Sequence, residues 1–179
     1  MIAYKFLRHG GVGPFSGFEW PLPEGDQPGA WVEAGGRVEP CARGVHACRP
    51  ERLARWLDDE LWACELDLEA EPERGVLVGR RGRLVHRIDG WNHEALRAFV
   101  EASAARAAER ASAPSASDLL LAYAADAAAF AAKATTAQDA AEASYVAARV
   151  AEAEAPGGFD REREWQSRWL ADRLGANGD

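Results

Sequence analysis

Alanine is spread so unevenly along this chain that one packing scheme cannot serve both ends. Thirty of the 88 residues from Asn92 to Asp179 are Ala, whereas five of the seven Trp and all three Cys lie between Met1 and Trp91. Alanine favours helix at little entropic cost but buries little area, so an Ala-rich region is stabilised by close helix approach around a few large residues. A seam is therefore expected near Trp91. Residues 1–91 should form a sheet domain with one short helix, and residues 92–179 an Ala-rich helical region that packs on it or forms a small bundle. The fold class is α+β: a mainly antiparallel N-terminal sheet followed by helices.

Short β-rich runs mark the first half, at Ile2–Leu7, Trp31–Val38, Leu61–Leu68, Gly75–Val78 and Arg83–Ile88. Along Leu61–Leu68, Trp62, Cys64, Leu66 and Leu68 share one phase while Glu65 and Asp67 take the other, which predicts a strand with one wet face. Pro50 suits a first helical position, and Leu53, Trp56 and Leu57 follow at helical spacing. The Gly- and Pro-rich stretches His9–Gly17 and Pro21–Gly29 read as surface loops.

In the second half, Asn92 caps a helix over His93–Ala111, Ser117 or Asp118 caps one over Asp118–Ala134, and further helices cover Ala137–Ala155 and Asp160–Leu174. Leu119, Tyr123 and Phe130 recur on one face of the second, and Tyr145, Val146 and Val150 do similar work in the third. Trp165 and Trp169 anchor the last, and contact between the halves is expected through them.

A formal charge of −8 makes nucleic acid a poor partner, and no apolar run is long enough for a membrane span. The chain enters a strand pattern at Met1 without a basic leader, from which a cytoplasmic location is expected.

Chemistry is less legible. Cys41, His46 and Cys48 could place two thiolates and an imidazole around zinc, but paired C-x-x-C spacing is absent and the reading adopted is structural thiols with neither metal nor cofactor. His46 and Cys48 are also the candidates for catalysis, as a general base and as a nucleophile beside Arg49 and a helix start. Arg80, Arg81, Arg83 and Arg87 interrupt the acidic background. With Gly79–Gly82 as a hairpin turn they would form a patch for a phosphate or carboxylate; the alternative is pairing with the acidic run Glu69–Glu73. Tyr4, Lys5, His46 and these four Arg make up the candidate ligand-binding set. The glycines after His9 lack the Lys and Ser/Thr ending of a phosphate loop. Phe15, Phe18, Trp20 and Trp31 either anchor a partner or ligand or belong to the core.

Ala3-Tyr4-Lys5-Phe6-Leu7, Phe18-Glu19-Trp20 and Cys41-Ala42-Arg43-Gly44-Val45-His46-Ala47-Cys48 together resemble a bacterial and phage domain family marked by a Tyr-Lys start and a Cys-x-x-Gly-x-His-Ala-Cys segment. This resemblance covers roughly residues 1–90 and implies a shared fold, with no activity attached. The Ala-rich helices ending in Glu162-Arg163-Glu164-Trp165-Gln166 are similar to an immunity-protein family of bacterial polymorphic toxin systems. In order of elements alone, a Tyr-Lys strand, a Gly-x-His strand and a short helix resemble the split sheet of ADP-ribosyltransferases, although no Ser-Thr-Ser or His-Tyr-Glu set is assignable. Two functions follow as expectations. One is a non-catalytic binding protein of bacterial conflict that occludes a protein partner; the other is a small enzyme or ligand-binding domain for an anionic small molecule such as a nucleotide.

Overall fold

The computed structural model describes residues 1–40 and 42–176. Strands β1 (Ile2–Leu7), β2 (Val32–Glu33) and β3 (Val45–Cys48), a 3-10 helix (Pro50–Arg55), β4 (Glu60–Glu73) and β5 (Val76–Arg87) precede helices α1 (His93–Ala111), α2 (Asp118–Lys133), α3 (Ala137–Glu154) and α4 (Gly158–Leu174). The fold is α+β, an antiparallel five-stranded sheet followed by four helices. β1 pairs with β4 and β3, and β5 pairs with β4, β3 and β2. The sheet consequently closes on itself through β1, β4, β5 and β3, and β2 flanks β5.

Side-chain alternation divides β1 and β4 between two cores. Ala3, Leu7, Trp62, Cys64 and Leu66 fill the inside of the closed sheet with Trp20, Val45, Leu77 and Leu84. Tyr4, Phe6, Leu61 and Ala63 face the helices, where they join Leu53, Trp91, Leu96, Phe99 and Leu170. One cluster thus spans the expected seam. Trp169 packs at its margin, with its ring 5.7 Å from that of Phe99.

Two expected strands, Gly75–Val78 and Arg83–Ile88, merge into the single strand β5 over Val76–Arg87, and the hairpin turns at Arg74 and Gly75 instead of Gly79–Gly82. Gly79 and Gly82 mark crowding, because a Cβ at either would meet Leu66 and the β4 backbone. The expected strand Trp31–Val38 shrinks to Val32–Glu33. Trp62, Cys64 and Leu66 keep their common face, but a register shift between Asp67 and Leu68 turns Leu68 out of the core.

The helix boundaries follow the capping residues. Asn92, Ser117 and Thr136 each accept a backbone N–H in the first turn, and Thr136 with Asp139 forms a reciprocal box. The buried face of α2 is turned by about 90° from the expected one, and of the expected set Tyr123 alone packs, partly buried, against the other helices. Leu120, Ala124, Ala127 and Ala131 are buried, whereas Leu119 and Phe130 are exposed. Small side chains let α2 approach its neighbours closely, so the larger ones are turned outward. In α3, Val150 is buried but Tyr145 is exposed, stacked edge-on against Phe159.

Candidate functional site

The two residues of the Tyr-Lys start project to opposite faces of β1. Tyr4 lies in the helix-facing core, whereas Lys5 follows the phase of Ala3 and Leu7. The Lys5 ammonium donates to the His46 carbonyl at 2.7 Å and lies 5.2 Å from the centre of the Trp20 ring. Burial pushes its pKa below the ordinary lysine value, opposed by the nearby thiols Cys64 and Cys48. Trp20 is itself buried, which places it in the core and not at a partner surface.

His46 and Cys48 occupy alternate positions of β3. The His46 ring is half-buried with Nδ1 3.1 Å from the Gly44 carbonyl oxygen; burial and then Lys5 hold its pKa down, while that carbonyl acts the other way. Cys48 is in the helix-facing core, and burial, reinforced by Cys64, pushes its thiol pKa far up. A thiol so desolvated supplies almost no thiolate near neutrality. Cys64, inside the closed sheet, is pushed up to about 12 for the same reason. Cys41 lies outside the described residues. Among the described residues no group of three His, Cys, Asp or Glu is arranged to hold a metal ion.

The glycine loop after β1 binds an anion that belongs to the chain. Gly10 and Gly11 both adopt positive φ, near 77° and 74°, and their amides donate to the two Glu60 oxygens at 3.2 and 3.1 Å. The same carboxylate, only 5% exposed, accepts from Trp62 Nε1 at 3.1 Å and from Arg87 at 3.3 Å. This buried cluster fixes the loop to the sheet, and sequence reasoning missed it. Its available signal was phase: Glu60 stands in register with Trp62, Cys64 and Leu66 and so was bound to turn inward.

The remaining candidate cations form a ladder on the outer side of the β4–β5 hairpin. Arg83 meets Glu65 at 2.6 Å, Arg81 meets Asp67 at 3.2 Å and Arg80 meets Glu69 at 2.7 Å. The first two are direct cross-strand neighbours. Pairing with acidic residues is thus what the geometry displays, with partners that begin at Glu65. Trp31, 39% exposed at the end of its loop, lies against two rungs, its ring centre 4.8 Å from the Arg81 guanidinium and 4.7 Å from that of Arg83. Each contact contributes about 0.5–1 kcal/mol at such an exposed site. Next to this stack, a shallow cleft of about 540 Å³ is lined by Glu33, Ala34, Gly35, Gly36, Arg37 and Arg80.

Comparison of the chain with protein-family models, curated proteins and solved structures finds no match.

A second cleft, of about 390 Å³, lies where the 3-10 helix, the hairpin tip and α4 meet. Its cations and anions balance, and two pairs cross it, Arg55 with Asp160 at 2.6 Å and Arg52 with Glu73 at 3.8 Å. Such a lining gives no preference for a ligand of either sign. The exposed Trp31 beside two guanidiniums has the residue types suited to recognition, because Trp and Arg combine large contact area with directional bonding.

Proposed function

We propose that this chain is a cytoplasmic, non-catalytic binding protein of bacterial conflict systems, immunity-like, which occludes a protein partner with the Trp31–Arg81–Arg83 face of its sheet. The stack itself carries this reading. Trp31 is held against two guanidiniums whose charges are already balanced by Glu65 and Asp67, so the surface offers a preorganised aromatic platform with little pull on a free anion.

The competing reading is a small enzyme or ligand-binding domain for an anion such as a nucleotide, ADP-ribosyltransferase-like in its order of elements. A thermal-shift panel of nucleotides and other phosphate compounds separates the two. Under the binding-protein reading no compound raises the melting temperature by more than about 1 °C; several degrees from one nucleotide class, lost in Arg83→Ala, overturns it. The positive arm is growth. Co-expression with a toxin encoded beside its own gene should restore growth, and Trp31→Ala should lose the protection while keeping the fold. Growth arrest unrelieved by the parent protein counts against the proposal.

A further inference from the structure

Three large apolar side chains of α2 are exposed, Leu119 and Phe130 on one flank, 57% and 41%, and Leu121 on the other, 46%, about 160–180° around the helix from them. Ala122, Ala125 and Ala129 run between them, also exposed, and the inner face with Leu120 and Ala127 is buried against the other helices. Charge on this helix sits at its two ends, Asp118 in the first turn and Lys133 in the last, with Asp126 near the middle.

This arrangement is complementary to itself. The midpoint of α2 falls between Ala125 and Asp126, and Asp118 and Lys133 are equally far from it. If two such helices pack antiparallel about a two-fold axis at that midpoint, each Asp118 stands opposite the Lys133 of the other copy. Leu119 and Phe130 lie on the same flank, about 20° apart at 100° per residue, and the two-fold brings each within about 3 Å in height of the other's counterpart. The alanines permit a close axial approach, and antiparallel helix dipoles attract. Both charge pairs and the Leu119–Phe130 contacts are met by a single isologous interface, while Leu121 on the other flank meets no large side chain across it. Asp126 alone is opposed, since its counterpart falls beside it near the axis.

We propose that the outer face of α2 is a self-association surface, and that its occupant is α2 of a second copy of this chain, packed antiparallel. The interface is separate from the sheet face discussed above and stands or falls without it. The full chain is tested by sedimentation equilibrium from about 1 to 100 µM, with circular dichroism confirming that each variant keeps its helices. The parent should sediment as a dimer of the 19.4 kDa chain. Ala125→Arg should give a monomer. Asp118→Lys and Lys133→Asp should each weaken the dimer about tenfold, the double swap should restore it to within about threefold, and Asp126→Asn should tighten it. A monomer at 100 µM, which would leave the face to a different protein, overturns the proposal. A dimer indifferent to Ala125→Arg, or single swaps that the double swap fails to rescue, overturns it equally.

Discussion

Individual residues here are defined by what they neutralise. Glu60 accepts from two glycine amides, an indole and a guanidinium, and its desolvation is offset only because all four donors converge. Arg163 is the mirror case, a guanidinium 6% exposed whose partners are neutral: the Ala54 carbonyl, Ser144 Oγ at 2.9 Å and Gln166 Oε1 at 2.8 Å. Burial first, and then nearby Arg55, bring its pKa down to about 10. Cys64 gives a measurable consequence of burial. An unfolded thiol ionises from about pH 8.5, whereas the native one holds its proton to about 12, so the unfolded state releases a proton first and stability falls as pH rises through that window. Between pH 8.5 and 10 the stability of the parent relative to Cys64→Ala should drop by about 1.5 kcal/mol in urea unfolding. A difference that stays constant over this interval would show that the native thiol ionises as readily as the unfolded one.

At the level of elements, end signals and side-chain phase operate separately. The bounds of α1 match its sequence reading because Asn92 both breaks the preceding chain and accepts the Ala95 amide at 3.1 Å. Phase was only partly legible in α2, where hydrophobicity pointed Leu119, Tyr123 and Phe130 inward and only Tyr123 packs against the neighbouring helices. The turn from α3 into α4 depends on one close approach. Gly158 is buried, and a Cβ there would overlap the Ala151 carbonyl and the Glu152 amide, which are backbone and cannot swing aside. Gly158→Ala should cost about 2 kcal/mol, read from the denaturant midpoint at unchanged slope. Gly35→Ala, whose Cβ enters open space, is the control and should shift it little. Equal effects of the two would remove the packing explanation.

Across the whole molecule, the two differently composed halves share a core. Phe99 from α1 is fully buried in a cluster that includes Tyr4, Phe6 and Leu61 from the sheet and Leu170 from α4. Polar contacts cross the same boundary: α4 engages both backbone groups of Ala54, Ser167 accepting its amide at 3.1 Å and Arg163 donating to its carbonyl. Phe99→Ala should therefore destabilise by about 4 kcal/mol and move the far-ultraviolet helix signal and tryptophan fluorescence together. If the helix signal moved alone, the two halves would unfold as independent units.

What the sequence determined by itself was local. Helix bounds, cap residues, the β1 strand and the α+β order follow from interactions within a few residues, where each residue type has its own preference. Spacing along β4 likewise placed Trp62, Cys64 and Leu66 on one face. Tertiary structure decided the rest. Sheet closure through β3, the merging of two short strands into β5, the carboxylate that seats in the glycine loop and the carboxylates that pair with the Arg ladder all depend on residues distant in sequence. The inner face of α2 was settled in the same way, because close helix packing selects small side chains, and nothing within a single helix reveals how near its neighbours will come.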